Sequence, residues 1–215
     1  MSKPYTEQNL SDQFDTDLIW RRKELSDIKA AVMRADAQAK PALLRALITV
    51  CYAHWEGYIR MCANKYFEHL AMRRLRYVEF ERQIYVNSFL VRLGVLHKSR
   101  ISIELRCKLV NDILDSTGDR FGYVNPSLID TKSNLSADTI KDICLICSVE
   151  SSHFEDKREF IDWIVVKRRN AIAHGQQEFI EETDIDDLVG ETLALMMHFR
   201  NLLENKVYTQ AYRAV

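Results

Sequence analysis

Three features of this 215-residue sequence predict an all-α protein. Apolar residues recur at steps of three and four through its long stretches, the spacing of a helix face. Only six glycines and three prolines interrupt them, which favours long helices over many short strands. Apolar residues make up 47% of the chain, as in an ordinary globular protein, and a chain this long can bury one sizeable core. A single domain over residues 1–215 is therefore expected.

Residues 1 to about 10 read as a loose polar arm. From Ser11, the expected N-cap, Phe14, Leu18, Leu25, Ile28 and Val32 form a narrow stripe, so a surface-packed helix should run over about 11–36. The stretch ADAQAK breaks the pattern, and Pro41 suits the first turn of a second helix, about 41–76. Its seam is Leu44, Ile48, Cys51, Trp55, Tyr58, Cys62 and Tyr66, widened by Leu47, Ile59, Ala63, Phe67 and Leu70; such a helix is central to a core. His54 and Glu56 lie off that seam, His54 at the edge of packing. Arg73, Arg74 and Arg76 group at the helix end, where cations complement the dipole and can hold phosphates.

Residues 77–154 are less periodic. VEFERQIYVNSFLVRLGVL can form one helix or two, and Leu105, Leu109, Ile113 and Leu114 mark another. GDRFGYVNPSLIDTKSN has loop composition, after which Ser136 caps a short amphipathic helix. A third core helix is expected over about 156–174, its run Phe160–Val166 too continuous for a surface position. Thr183 is the expected N-cap of a last helix, about 184–206, with Asp184, Asp186 and Asp187 in its first turn; they read as capping charges rather than a metal site.

A net charge of −1 excludes a surface coated in basic residues, so any nucleic-acid contact must be a local patch. Five scattered cysteines suit a reducing cytoplasm. Cys144 and Cys147 form a C-x-x-C with no second pair and no histidine at zinc spacing, and no metal or cofactor is expected. No apolar run approaches the ~18 residues of a membrane span, and MSKPYTEQN is not a signal peptide.

The stretch that offers chemistry is KRRNAIAHG, Lys167–Gly175. It places a permanently charged arginine, Arg169, and an amide, Asn170, before an imidazole, His174, which can exchange a proton near neutral pH. Residues five apart on an α-helix diverge by about 140°, so Arg169 and His174 do not share a face. The helix should therefore stop near His174 with Gly175 as its cap, or the two side chains should converge across a dimer.

RRNAIAHG resembles the R-x4-6-H signature of the HEPN superfamily, with a polar residue directly after the arginine. YAHWEGYIR (Tyr52–Arg60) and DTKSNLSADTIKDI (Asp130–Ile143) resemble the bacterial MAE-like branch of that superfamily. The resemblance implies an antiparallel four-helix bundle that dimerises, with residues 77–154 inserted between its second and third core helices. It implies a metal-independent endoribonuclease of a toxin–antitoxin or phage-defence system, using Arg169, Asn170 and His174. Glu56 would support them, through an ion pair to Arg169, and Asn134 would shape a turn. Lys167, Arg168, Arg73, Arg74 and Arg76 would hold RNA. The expected partners are RNA, a second copy of the chain, and an antitoxin, second HEPN protein or defence ATPase encoded nearby. The alternative is a catalytically silent HEPN module that binds RNA or a protein.

Overall fold

The computed structural model describes residues 3–94, 102–178, 181 and 184–214. Among them the protein is all-α, with two isolated β-bridges and no strand. Helix α1 spans Glu7–Arg34 and α2 spans Lys40–Arg73. The inserted region carries α3 (Arg82–Leu93), α4 (Ile103–Asp115), α5 (Ala137–Cys147) and α6 (Ser152–Asp156). A helix that winds as a π-helix over Phe160–Lys167 continues as α7 (Arg168–Ala173), and α8 spans Ile185–Tyr208. The bundle consists of α1, α2, the π-helix with α7, and α8. Among the described residues, no helix is long and apolar enough to cross a membrane.

Helix α1 begins four residues before the expected cap at Ser11. Thr6 Oγ1 accepts the Asn9 N–H at 3.0 Å while Asn9 Oδ1 accepts the Thr6 N–H at 3.3 Å, a reciprocal pair that closes the first turn. Leu10 extends the stripe of Phe14, Leu18, Leu25 and Val32, all buried. The arm before it is anchored, since the His69 ring bonds the Pro4 carbonyl oxygen at 2.9 Å.

Helix α2 buries the predicted residues from Leu47 to Leu70 and has Pro41 in its first turn. It stops at Arg73 rather than near Arg76 because Arg74 turns left-handed, φ +51°, and the chain leaves the helix. The Phe121 N–H then donates to the Leu75 carbonyl oxygen at 2.9 Å and that of Tyr77 to the Asp119 carbonyl oxygen at 2.9 Å.

His54 is not at the edge of packing but 3% exposed, within a charged network between α1 and α2. Arg21 Nε donates to Asp17 at 2.6 Å, its Nη1 lies 3.2 Å from His54 Nδ1, and His54 Nε2 lies 2.8 Å from Glu24. The arginine's Cζ stacks 4.5 Å from the Trp20 ring centroid. Gly57 leaves room for it: a Cβ there would come within 2.9 Å of Arg21 Nη1.

The inserted region divides in two. From Leu128 to Phe154 it joins the main core through Ile129, Leu135, Ile140, Ile143, Cys144, Cys147 and Phe154. Burial pushes the Cys144 thiol up to about 12 and Cys147 well above its ordinary value, which keeps both protonated as packing groups. Helix α4, by contrast, buries only Leu109, and Leu105 and Leu114 of its predicted stripe are exposed. The end of the stretch before it, Val95 and Leu96, lies outside the described residues, as does Thr183. The C-terminal segment is used in contacts: Tyr212 is buried against Phe80, and its carbonyl oxygen accepts the Glu81 N–H at 2.9 Å.

Candidate functional site

The π-helix sets the orientation of everything that follows it. Its i→i+5 hydrogen bonds widen the turn, so residues four and five apart share a face. Ile161, Val165 and Val166 accordingly all face the core. The run Phe160–Val166, expected to be buried on several sides, does not bury every side, because seven consecutive residues encircle any helix. Trp163 takes the outward position and is 57% exposed.

One turn beyond Val165 and Val166, Arg169 and Asn170 continue the inward face and meet α2 and the turn before α5. The Arg169 Cζ lies 3.6 Å from the Tyr52 ring centroid, and its Nη2 donates to the Ser133 carbonyl oxygen at 3.0 Å. The Asn170 amide nitrogen donates to Asn134 Oδ1 at 3.3 Å. Among the described residues Arg169 has no carboxylate partner, and its Nε is buried without a hydrogen bond.

The turn that receives these side chains is held open for them. Lys132 and Ser133 are both left-handed, φ +54° and +52°, a conformation that non-glycine residues adopt at a cost. The Asp130 carboxylate accepts the Lys132 N–H at 2.8 Å, and the Asn134 N–H donates to the Thr131 carbonyl oxygen at 2.9 Å. Helix α2 clamps the far side. The Leu135 N–H donates to the Tyr52 hydroxyl at 2.8 Å, Trp55 Nε1 donates to the Leu135 carbonyl oxygen at 3.1 Å, and Thr131 Oγ1 donates to Glu56. Asp162 closes the ring by accepting the Ala137 N–H at 2.8 Å. Burial and the Glu56 carboxylate push the Tyr52 phenol up, against the pull of the Leu135 N–H and Arg169, so the ring under the guanidinium stays neutral.

Glu56 therefore does not ion-pair with Arg169. It takes the Thr131 hydroxyl and supports the arginine at one remove, through the turn. Tyr52, Trp55, Thr131 and the Ser133 carbonyl are members of the site that the sequence pattern did not single out. Tyr52 and Glu56 are four residues apart and share a helix face, a spacing that could have marked them.

His174 ends α7, as expected. The Gly175 N–H donates to the Ile172 carbonyl oxygen at 3.0 Å and the Gln176 N–H to that of Ala171 at 2.9 Å, with Gly175 at φ +77°, a Schellman cap. The His174 ring is exposed and makes no hydrogen bond or ion pair among the described residues. Lys167 places its Nζ 3.7 Å from the Trp163 ring centroid. Arg168 turns toward α8, lining a hollow with Phe160, Ile164, Asp184, Asp187 and Leu188. Arg73, Arg74 and Arg76 are not brought to this site: Arg73 lies 21 residues from Tyr52, about 30 Å along α2. There Arg73 donates to the Tyr5 carbonyl oxygen, and the Arg74 carbonyl oxygen accepts from Arg120 at 2.8 Å.

The three stretches singled out in the sequence thus converge in space. The model of the RiboL-PSP-HEPN family matches residues 16–205 of the chain. The chain belongs to the RiboL-PSP-HEPN family. Membership places it among HEPN domains, an all-α class in which ribonucleases and RNA binders occur. The narrower likeness to the MAE-like branch rests on the three stretches alone. No curated protein and no solved structure matches the chain.

Proposed function

We propose that this RiboL-PSP-HEPN protein is a metal-independent endoribonuclease of a toxin–antitoxin or phage-defence system, acting in the cytoplasm as one HEPN-like domain over 1–215. The observation that carries the reading is the state of Arg169. Its guanidinium is fixed by Tyr52 and Ser133, yet among the described residues its charge has no carboxylate partner and its buried Nε has no acceptor. A phosphorane oxygen supplies the missing negative charge.

In the proposed reaction a base removes the 2′-OH proton of RNA, and that oxygen attacks the adjacent phosphorus. The P–O5′ bond breaks and an acid protonates the departing 5′-oxygen, leaving 2′,3′-cyclic phosphate and 5′-OH ends. His174 is the proton-transfer group. Arg169 stabilises the added negative charge by paired hydrogen bonds. Asn170, tied to Asn134, holds the register of the helix end. One chain carries one His174, pointed away from Arg169, whereas the reaction uses both a base and an acid. A two-fold homodimer that faces two motifs across one cleft supplies both.

The splay of Arg169 from His174 within one chain also favours a second reading, a silent module that binds RNA or an antitoxin, second HEPN protein or defence ATPase. The test separates them. The purified protein should cut RNA in excess EDTA and leave DNA of the same sequence intact. His174→Ala should slow cutting on the order of 10²–10⁴-fold without unfolding. Mixing Arg169→Ala with His174→Ala subunits should restore part of the activity if one cross-subunit pair suffices. RNA that is bound but never cut would establish the silent module.

A further inference from the structure

We propose that Trp163 and Lys167 form a subsite for single-stranded RNA, the indole stacking one nucleobase and the ammonium holding the neighbouring phosphate. The proposal rests on the reading of Arg169 and His174 as the cleavage site. Trp163 is the one large aromatic of the π-helix that faces outward, and among the described residues its indole N–H makes no hydrogen bond. Its ring is approached by the Lys167 Nζ, 3.7 Å from the centroid. That contact restrains the ring while leaving more than half of the residue exposed.

The other exposed tryptophan, Trp20, shows the contrast. Its Nε1 donates to Asp17 at 3.1 Å, its face carries the paired Arg21, and its ring meets His54 edge-on at 5.1 Å. Trp20 is part of a closed network, whereas among the described residues Trp163 is held from one side only.

Position supplies the rest. Lys167 and His174 are seven residues apart, two helical turns, and so lie within about 20° of one another around the axis. Trp163, Lys167 and His174 therefore form one outward stripe that ends at the proton-transfer group, while Arg169 faces inward. From Lys167 to His174 the rise is about 10 Å, or about three nucleotides at the 3.4 Å spacing of a stacked strand. A cation beside an aromatic face is the combination that holds single strands, the charge on the backbone and the ring on a base. The local charge matches, since Lys167 puts an exposed cation in the stripe of a chain of net charge −1.

The test uses the full-length His174→Ala protein and a short single-stranded RNA. Trp163→Ala should weaken binding roughly five- to 150-fold, and Trp163→Phe should recover most of it. Lys167→Ala should lower the salt dependence by about one unit of slope. An abasic nucleotide about three positions from the cut should weaken binding to the parent and not to Trp163→Ala, a coupling that a structural role would not produce. Unchanged affinity in Trp163→Ala would overturn the subsite. So would loss of dimerisation in that variant with RNA affinity per folded dimer intact, which would assign the indole to a contact between copies. If the otherwise wild-type enzyme cuts RNA and Trp163→Ala leaves KM and kcat unchanged, only the subsite fails. If the parent neither binds nor cuts RNA, the ribonuclease reading fails with it.

Discussion

Two arginines flank α2, each stacked on an aromatic ring, and they differ in what balances their charge. Arg21 is 8% exposed and bonds the buried Asp17 carboxylate, with His54 and Glu24 completing a chain of polar contacts. Arg169 is half-buried over Tyr52, with a single carbonyl partner and no carboxylate among the described residues. A closed network of the first kind is satisfied by the fold itself. A guanidinium of the second kind is positioned by the fold but left with positive charge and hydrogen-bond donors to spare. The burial of a cation therefore says less about its role than the identity of its partners does.

The sharpest way to break the comparison is to delete each arginine in turn. Arg169→Ala should lower ribonuclease activity on the order of 10²–10³-fold. It should cost no more than about 2 kcal/mol of stability, since it removes one cation–π contact and one neutral-acceptor hydrogen bond. Arg21→Ala should instead cost about 3–5 kcal/mol, because it strands the Asp17 charge in the core. Denaturant melts and RNA cleavage of both variants would check this. Equal stability losses would erase the distinction between the two sites.

Gly57→Ala sharpens the closed side. Helix propensity alone favours alanine by about 1 kcal/mol. The new Cβ would meet Arg21 Nη1, which Asp17 and His54 hold in place, so a net loss of about 1–2 kcal/mol is expected. A gain in stability would show that Arg21 moves aside freely.

The smallest effect is a pH dependence. Burial and then the Arg21 charge lower the His54 pKa below its ordinary 6.5, with Glu24 and Asp17 pulling the other way. The unfolded chain therefore binds this proton more readily than the folded one. Stability present above pH 6.5 is lost as pH falls below that value toward the folded pKa. His54→Gln should flatten melts taken between about pH 7.5 and 5.5 in part, since burial also lowers the pKa of His69 and His198. Identical slopes in the two proteins would remove His54 from the linkage.

The bundle was legible in the sequence where one face alone is apolar. The stripe Phe14 to Val32 and the seam Ile48 to Tyr66 fall where periodicity puts them. Legibility failed where a few local bonds decide. Thr6 rather than Ser11 starts α1 through a reciprocal cap, and left-handed Arg74 ends α2 ahead of Arg76. In the third core helix an apolar run interrupted only by Asp162 hides its period, so neither the π winding nor the outward turn of Trp163 could be read from it. The site was legible as Arg169, Asn170 and His174, whose types advertise their chemistry. Tyr52 and Ser133 were not, because an aromatic ring and a backbone carbonyl acquire meaning only from what the fold brings to them.

The left-handed pair Lys132–Ser133 bears on when the site comes into being during synthesis. Each such residue costs about 1–2 kcal/mol, which the turn's own few bonds offset poorly without Tyr52, Trp55 and Glu56. Those clamps act across 75 to 83 residues of sequence. A chain on the ribosome that has emerged only through α2 presents Tyr52 with nothing to stack on it. The turn arrives later, and the 39 residues from Leu135 to His174 take about 2–8 s more at 5–20 residues per second. The arginine's setting thus forms only well after α2 has been made, while the chain is still beside an RNA-rich machine.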